Sequence, residues 1–350
     1  MDAEVPGSPG HGKAKLEDVA RLARVSRSTA SRVITGSPGV SEAARLAVER
    51  AARRLSYSPN RAARSLVTRR TDLIGLVIPE PVSRLFGDPT FPRLIRGVNQ
   101  ELAGRDLQLV LFTPQSERDG QRLERHLTSG QIVDGVLLFW LHGADPLPAR
   151  LAARGVPVVV SGRPLGSVEL SFVDVDNRGG AAAAARHLLA AGRRVVAAIS
   201  GPQDVVAGQD RLAGFRQAMA DAGLIDRALE EAGDFTRESG LDAMRTLLAR
   251  RPGLDAVFAA NDLMALGALR ALREAGRSVP GDVALVGFDD SPLAASSEPP
   301  LSSVRQPLEE MAEEMTRLLL RAIEGRTQAP RGLLLATRLI PRESSGAAPA

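Results

Sequence analysis

A short predicted helix near the amino terminus carries hydrogen-bonding side chains on one face and apolar side chains on the other. Ser26 is a good N-cap for this helix, because its hydroxyl can accept a hydrogen bond from a backbone N–H of the first turn. The apolar residues Ala30, Val33 and Ile34 recur three and four positions apart, as expected for a buried stripe. The opposite face carries Arg27, Ser28, Ser31 and Arg32. Guanidinium groups pair with guanine and hydroxyls bond several base edges, so this face can read a DNA major groove.

The neighbouring elements predict how this helix is presented. Residues 16–23 form a helix of about two turns, Arg24 and Val25 make a short connection, and Ser26 begins the second helix. Helix, tight turn and capped second helix are typical of a helix-turn-helix, whose second helix reads the bases. Ser41 then caps a third helix that runs to about Leu55. An ordinary helical hairpin with a solvated basic face is the alternative interpretation.

Basic residues are concentrated at the same end of the chain. Residues 13–70 contain 14 Lys and Arg against 4 Asp and Glu, a net charge of +10, whereas the whole chain of 350 residues is +4. The remainder therefore carries a net charge of −6. A basic end attached to an acidic body is typical of a phosphate-binding module joined to a second domain.

A very short helix is predicted directly after this basic module. Ser58 as N-cap and Pro59 at the first helical position indicate its start, and it extends only about eight residues, to Leu66. Helices this short are marginal in water, so we expect it to fold only when something packs on it. Ala63 is small enough for a second copy of the helix to approach. Leu66 either inserts into the minor groove as a wedge or packs on the next domain.

Length and composition limit the remaining classes of protein. A chain of 350 residues with 44% hydrophobic and 25% charged residues can form two or three globular domains. The absence of cysteine excludes disulfides, cysteine zinc sites and a cysteine nucleophile. Residues 1–12 lack the features of a secretory signal and no apolar run approaches a membrane span, so we expect a cytoplasmic, nucleoid-associated protein without a membrane partner. Residues 1–12 and 343–350 are predicted to be disordered tails.

From Thr71 onward, apolar runs of strand length alternate with helical segments. Near-continuous apolar strands separated by helices predict a parallel sheet covered on both faces. The same rhythm restarts at about residue 177, so we predict two similar subdomains, each built on a parallel sheet. Ligands of such sheets lie outside the carboxyl ends of the strands, and the natural site between two facing sheets is their cleft.

Polar residues gather at the ends of these predicted strands. They include Arg163, Arg211, Asn261, Asp262 and Asp289. Such groups suit a hydroxyl-rich ligand, and Phe91 and Phe235 can cover its apolar face. This composition favours a sugar, with a nucleobase or nucleoside as the alternative. The structural interpretation is that Asn261 and Asp262 cap the next helix and that Asp289 holds a loop.

Three classes of function account for these observations to different extents. A DNA-binding regulator controlled by a small molecule accounts for both parts of the chain. A small-molecule binding protein without a DNA function leaves the basic module unexplained, and an enzyme of the doubly wound class requires motifs that are missing. The sequence has no phosphate-binding Gly-rich loop, no GxSxG elbow and no histidines at metal-ligand spacing. We therefore predict no catalytic residue, no cofactor and no metal.

Seven ordered motifs resemble those of the lac repressor family of bacterial transcription regulators, over nearly the full length of the chain. They are LEDVARLARVSRSTASRVI, YSPNRAARSL, DNRGG, RLAGF, ANDLMALGAL, VPGDVALVGFDD and VRQP. The resemblance implies an all-α helix-turn-helix domain, a hinge helix and an α/β core of two parallel-sheet subdomains like a periplasmic sugar-binding protein. It also implies operator binding as a homodimer and control by a small-molecule effector.

The domain limits follow from this resemblance. The helix-turn-helix domain takes residues 13–57, the hinge 58–69 and the effector-binding core 70–342. Within the core, the N-subdomain takes about 70–174 and 306–335, and the C-subdomain takes about 175–305 and 336–342.

The resemblance also implies which residues bind DNA and effector. Arg27, Ser28 and Arg32 match base-contacting positions, Asn60 matches a backbone-contacting position, and Leu66 matches the minor-groove wedge. The full predicted DNA-contacting set is Arg27, Ser28, Thr29, Ser31, Arg32, Tyr57, Asn60, Arg61, Ala63 and Leu66. The predicted effector-contacting set is Phe91, Arg163, Arg211, Phe235, Asn261 and Asp289.

The chain also departs from the family pattern. Arg24 stands where the turn often has Gly, so the turn must tolerate a side chain. Gly162 stands where many members have Asp, which puts one contact to a ligand hydroxyl in doubt. The long helical tail that makes the lac repressor a tetramer is absent, so we expect a dimer.

The effector is expected to favour one closure angle of the subdomains, and this angle sets the distance between the two hinge helices.

Overall fold

The computed structural model describes residues 14–35, 38–57, 70–129, 132–165, 169–326 and 329–346. The chain divides into two compact units, Met1–Thr71 and Asp72–Ala350, and each is considered by itself. The predicted hinge at 58–69, with Asn60, Arg61, Ala63 and Leu66, and the predicted tail at 1–12 lie outside the described residues.

Within residues 14–35 and 38–57, the first unit forms three helices: α1 (Leu16–Ala23), α2 (Arg27–Ile34) and α3 (Glu42–Arg54). The Ser26 side chain accepts a hydrogen bond from the backbone N–H of Thr29 at 3.0 Å, and Ser41 caps α3 in the same way. Arg24 adopts a left-handed backbone with φ of 55°, so the turn accommodates a side chain where glycine is the easier residue. The predicted helix-turn-helix and its two caps are confirmed.

A small apolar core holds these helices together. Val19, Ala20, Ala30, Val48 and Ala51 are buried at its centre. Three of these five residues are alanine, and small side chains let helices cross closely. The core therefore fixes α2 relative to α1 and α3, although each helix is short.

The second unit is built on two six-stranded sheets. The first sheet is parallel throughout, with strand order β11-β5-β4-β3-β1-β2. Its strands are β1 (Leu73–Val77), β2 (Gln108–Phe112), β3 (Gly135–Leu138), β4 (Val158–Ser161), β5 (Ser171–Val175) and β11 (Gly332–Leu335).

The second sheet has the order β12-β10-β9-β8-β6-β7, in which β10 and β12 pair antiparallel and the other neighbours pair parallel. Its strands are β6 (Val196–Ser200), β7 (Leu229–Ala232), β8 (Ala256–Ala259), β9 (Ala284–Asp289), β10 (Ser302–Arg305) and β12 (Arg338–Ile340). The chain passes between the sheets three times, after β5, β10 and β11. Three crossings at one edge join the two halves and leave a cleft beside them.

Helices cover both sheets. They are α4 (Val82–Gly87), α5 (Thr90–Leu102), α6 (Glu117–Ser129), α7 (Leu147–Ala153), α8 (Asn177–Ala190), α9 (Val206–Asp221), α10 (Arg237–Arg250), α11 (Asp262–Glu274), α12 (Pro292–Ala295) and α13 (Leu308–Ile323), with 3-10 turns at Ile225–Arg227 and Glu343–Ser345. Gly97 on α5 allows α13 to approach, since a Cβ there would lie 2.3 Å from the Glu309 carbonyl oxygen. None of the helices in the described ranges is both long and apolar enough to cross a lipid bilayer.

One expectation about an irregular segment is wrong. The predicted disordered tail at 343–350 begins with an ordered turn, Glu343–Ser345, in which Ser344 and Ser345 are buried. The Ser344 hydroxyl donates to the Leu285 carbonyl at 2.6 Å, and Ser345 Oγ lies 2.7 Å from His187 Nε2. These buried hydrogen bonds fix a segment whose polar composition suggested disorder.

Candidate functional site

A cavity lies between the two sheets of the second unit, at the carboxyl ends of their strands. One wall comes from the ends of β3, β4 and β5, and the other from the residues after β6 and β7. We call these the first-sheet wall and the second-sheet wall of the cleft. The first-sheet wall includes Trp140, Ser161, Arg163 and Asp174, and the second-sheet wall includes Arg211 and Phe235. This is the location that the strand pattern predicts for a ligand.

The structure divides the predicted effector-contacting residues into two groups. Arg163, Arg211 and Phe235 line the cavity. Phe91, Asn261 and Asp289 are buried behind it and contact residues that line it, either directly or through the backbone. Direct contact with an effector therefore remains a prediction for all six, and it is simplest for the first three.

Arg211 is the centre of the second-sheet wall. It lies in the first half of α9, is only 3% exposed, and donates from Nε to Asn177 Oδ1 at 2.8 Å. One terminal nitrogen donates to the Ala260 carbonyl at 2.6 Å and lies 3.5 Å from Asp289 Oδ1. The guanidinium also stacks on Phe288, 3.8 Å from the ring centroid. These contacts fix the plane of the guanidinium before any ligand arrives.

Asp289 supports Arg211 from the end of β9. Gln306 donates to the same Oδ1 of Asp289 at 2.5 Å, and the Asp289 backbone has a left-handed φ of 106°. Burial raises the pKa of the Asp289 carboxyl well above its ordinary value, because removal from water penalises its charge more than Arg211 favours it. A buried carboxyl with a left-handed backbone is costly, so the surrounding contacts must hold it.

Asn261 acts as the N-cap of α11. Its Oδ1 accepts from the backbone N–H of Met264 at 2.8 Å, and its Nδ2 donates to the Phe235 carbonyl at 2.9 Å. The second contact holds Phe235 with a left-handed φ of 69°. Gly201 lies beneath the ring, where a Cβ would be 2.3 Å from Phe235 Cζ. The interpretation of Asn261 as a helix cap is thus confirmed. Its second hydrogen bond, to the Phe235 carbonyl, also positions the Phe235 ring.

The first-sheet wall places a carboxylate beside an arginine. Asp174 at the end of β5 accepts a hydrogen bond from the Arg163 backbone N–H at 3.0 Å and another from Asn177 Nδ2 at 3.0 Å. Burial raises the pKa of Asp174. The Arg163 side chain is about half exposed and pairs across the cleft with Asp210 on α9, at 3.2 Å. Gly162, directly before Arg163, has a left-handed φ of 78°, which explains why glycine suits this position.

An aromatic cluster that sequence reasoning missed crosses the cleft. Trp140 follows β3, and its ring centroid lies 5.2 Å from that of Phe91 and 5.8 Å from that of Phe235. Trp140 belongs to the first-sheet wall, Phe91 is buried behind that wall, and Phe235 belongs to the second-sheet wall. The signal in the sequence was the single tryptophan of the chain directly after a buried apolar run.

His142 forms a second bridge across the cleft that was not predicted. Its Nδ1 lies 2.9 Å from Asp204 Oδ2, beyond the second sheet, and its Nε2 lies 3.2 Å from Glu80 Oε1, beyond the first. The hydrogen bond with Glu80 raises the pKa of His142, and Asp204 adds to this effect. A protonated imidazole donates to both carboxylates, so this bridge is strongest in acid.

In the first unit, the predicted base-reading face of α2 is mostly open. Arg27, Ser28 and Arg32 are exposed, and Thr29 and Ser31 are half-buried. Ser28 and Thr29 each form a hydroxyl contact of 2.8 Å with Ser26 at the start of the helix. These contacts orient the first turn. DNA contact by this face remains a prediction.

Arg27 and Tyr57 of the predicted DNA-contacting set also have partners within the first unit. Arg27 pairs with Glu17 on α1 at 2.9 Å, an exposed contact that costs little to exchange for a phosphate or a base. Tyr57 packs partly against the small core, and burial raises its pKa. Across both units, the ranges that the structure describes hold no group of three or more His, Asp or Glu side chains suited to a metal ion.

Two family models match the chain. The model described as bacterial regulatory proteins, lacI family, matches residues 15–60, and the one described as a periplasmic binding protein-like domain matches residues 185–345. The HTH-type transcriptional regulator CelR of Thermobifida fusca is 53% identical over 332 residues, which cover 94% of this chain and 97% of the relative. The chain belongs to the lac repressor family.

Solved structures of the lac repressor family agree with this assignment. A transcriptional regulator CelR–cellobiose complex has a TM-score of 0.76 and 50% identity, covering 95% of this chain and 99% of that one. A lac repressor dimer bound to operator and the anti-inducer ONPF has a TM-score of 0.84 and 27% identity, covering 96% of this chain and all of that one. The predicted fold, a helix-turn-helix domain followed by a two-sheet α/β core, is confirmed, and the chain is a ligand-responsive transcriptional regulator of this family.

Proposed function

We propose that the protein is an operator-binding repressor whose effector is cellobiose or a closely related glucose disaccharide. The observation that carries this is the make-up of the cleft, where Arg211 and Asp174 lie beside aromatic rings from both walls. Charged groups hydrogen-bond strongly to hydroxyls, and aromatic rings pack on the apolar face of a sugar. The similarity to a regulator whose structure is titled as a cellobiose complex supports this choice of sugar.

Each wall has a distinct task in this proposal. Arg211 is fixed by its neighbours and presents its remaining N–H groups to ligand hydroxyls. Asp174 retains acceptor capacity beyond its internal hydrogen bonds, and Arg163 adds a donor at the rim. A ligand held by both walls favours one closure of the cleft over the others. Such a ligand shifts the equilibrium only by the difference between its affinities for the two states.

DNA binding is proposed for the exposed face of α2. Arg27, Ser28 and Arg32 are available to base edges, and the surplus of basic residues in 13–70 supplies phosphate contacts. Two copies of the chain place two such helices on half-sites about one helical turn apart, so the operator is a pseudo-palindrome. Asn60 and Leu66 belong to this proposal through the hinge at 58–69. The protein acts at the nucleoid in the cytoplasm, as a regulator without catalytic activity.

A binding assay with the full-length chain tests the proposal. A labelled duplex from upstream of its own gene is titrated with the protein, and the titration is repeated with saturating cellobiose, ribose, maltose or a purine base. We expect cellobiose to change the operator affinity at least about five-fold, the lower end of typical allosteric coupling, and the other sugars to change it less. A response to the purine base alone supports the nucleobase alternative, and no response to any compound overturns the proposal.

The DNA side has its own pair of variants. Arg32→Ala removes an exposed arginine from the reading face, and Arg326→Ala removes a similarly exposed arginine of the second unit, which pairs with Glu324. We expect Arg32→Ala to weaken specific binding by about 1–3 kcal/mol and to relax specificity at one base pair. Arg326→Ala controls for net charge and leaves specific binding unchanged. Equal losses in the two variants exclude base reading by Arg32.

A further inference from the structure

Trp140 has an unusual position between the two walls of the cleft. It follows β3, contacts Phe91 behind its own wall, and reaches across to Phe235 on the other wall. The Arg84 guanidinium lies 6.0 Å from its ring centroid and also donates to the Asp234 carbonyl across the cleft at 3.1 Å. The Trp140 ring therefore occupies the space where the two walls meet.

Two features of Trp140 are energetically unfavourable: its backbone conformation and its unpaired indole N–H. The Trp140 backbone has a left-handed φ of 61°, which is an outlier for a bulky side chain. Its indole Nε1–H is buried without a hydrogen-bond partner. Only two other buried side-chain atoms in the described ranges share that state, Asp88 Oδ2 and Ser291 Oγ, and neither residue lines the cleft. An unpaired buried donor is costly, and a ligand acceptor would remove that cost.

We propose, on the basis of the proposed function, that Trp140 is the principal aromatic contact of the effector. A sugar enters between Trp140 and Phe235 and replaces their mutual ring contact. Its apolar C–H face packs on the indole, and one of its oxygens accepts a hydrogen bond from Nε1–H.

The chemistry of a pyranose meets both requirements of this site. Its ring has C–H groups on a face and oxygen atoms at the edge, so one molecule can pack on the indole and accept from its N–H. Insertion also exchanges the direct contact between the walls for a contact through the ligand. Trp140 then links recognition of the sugar to closure of the cleft, because the same ring bridges the walls before binding and touches the ligand afterwards.

The single tryptophan makes this proposal directly measurable. Full-length protein labelled with ¹⁵N-tryptophan gives one indole N–H resonance, which belongs to Trp140 without further assignment. We expect cellobiose to shift that resonance downfield and to change the intrinsic tryptophan fluorescence. Both changes should saturate with the dissociation constant that calorimetry gives.

Variants separate the donor from the ring. Trp140→Phe keeps an aromatic ring but removes the N–H, and we expect cellobiose to bind about ten-fold more weakly, the effect of one hydrogen bond. Trp140→Leu removes the aromatic face as well and should weaken binding further. Phe86→Leu is the control, because Phe86 is 76% exposed on α4 and does not line the cleft. Its affinity for cellobiose should equal that of the wild type.

The outcomes distinguish this inference from the proposed function. If cellobiose binds the wild type by calorimetry while the indole resonance, the fluorescence and the affinity of Trp140→Phe stay unchanged, the role of Trp140 is overturned and the effector assignment stands. If calorimetry detects no binding to the wild type, both are overturned. If Trp140→Phe fails to fold by circular dichroism, the resonance and fluorescence of the wild type decide the question alone.

Discussion

The two walls of the cleft differ in how their polar groups are satisfied. On the second-sheet wall, Arg211 has hydrogen-bond partners within the protein, and so do Asn261 and Asp289, which are buried directly behind this wall. On the first-sheet wall, the Trp140 donor is unpaired and the Arg163 side chain is half exposed. The second-sheet wall is thus organised before a ligand arrives, whereas the first-sheet wall has bonding capacity that a ligand can use. Preorganisation on one side lowers the cost of binding, and spare capacity on the other supplies selectivity.

The largest expected effect comes from removing the Arg211 side chain from the second-sheet wall. Arg211→Ala leaves the Asp289 carboxyl buried without its cation and removes the stacking contact with Phe288. We expect the free energy of unfolding of the core to fall by about 3–5 kcal/mol and the response to effector to be lost. Urea denaturation measures the first, and operator binding with and without cellobiose measures the second.

Arg216 offers a control on the same helix. It is half exposed on α9 and pairs with Glu230, so Arg216→Ala should change stability by less than about 1 kcal/mol and leave the effector response intact. If Arg211→Ala is as stable as Arg216→Ala, the second-sheet wall is not held by its buried network. An unchanged effector response in Arg211→Ala removes Arg211 from the binding site.

A smaller effect is expected from Asp262, which supports the second-sheet wall without lining the cleft. Asp262 Oδ2 accepts from the Ser291 backbone N–H at 2.7 Å, and Oδ1 accepts from the Ser303 hydroxyl at 2.6 Å. Asp262→Ala leaves both donors unpaired and should cost about 1–3 kcal/mol of stability. The affinity of the folded variant for cellobiose should stay near the wild-type value, which isothermal calorimetry measures. A large loss of affinity would show that Asp262 supports ligand binding as well as stability.

Titration of Asp262 adds a signature in pH. Burial raises its pKa from 3.8 to about 6, so the folded core holds this proton more tightly than the unfolded chain. The associated stability is complete below pH 4 and is lost as the pH rises through about 6. The wild type should therefore lose more stability than Asp262→Asn between pH 4 and pH 7. Parallel curves for the two proteins would contradict the raised pKa.

The sequence predicted the second-sheet wall better than the first, for a physical reason. The helix caps Ser26, Ser41 and Asn261 act on backbone groups three residues away, so local sequence is enough to place them. Strand ends are equally local, which is why Arg211 and Phe235 could be named and lie at the cleft. The alternation of apolar, strand-length runs with helical segments likewise predicted the two-sheet architecture.

Contacts between distant segments could not be predicted in the same way. His142 meets partners 62 residues away in each direction, and the Trp140 ring meets Phe235 from the opposite sheet. Ser344 is fixed by a hydrogen bond to a strand 59 residues earlier, so its composition alone suggested a disordered tail. In each case the contacting residue is distant in the sequence and is brought close by tertiary packing, which the local sequence pattern does not reveal.

The smallest expected effect concerns the His142 bridge between the walls. Glu80 raises the pKa of His142 through a hydrogen bond, so folding favours the protonated imidazole. Its contribution to stability is complete at low pH and is lost as the pH rises through the raised pKa. His142→Gln cannot gain this proton, so its melting temperature should fall short of the wild-type value at pH 6 and approach it at pH 8. The difference at pH 6 should be about 2 °C or less, because the histidine and Asp204 are partly exposed.

Arg163→Gln is the matched control for this bridge. It removes the other ion pair across the cleft, between Arg163 and Asp210, without removing a group that titrates near neutral pH. Its deficit in melting temperature should therefore be the same at pH 6 and pH 8. If the deficit of His142→Gln is equally independent of pH, the histidine bridges the walls as a neutral side chain. The cleft would then have no acid-sensitive contact at this position, and the two walls would differ only in their hydrogen-bonding capacity.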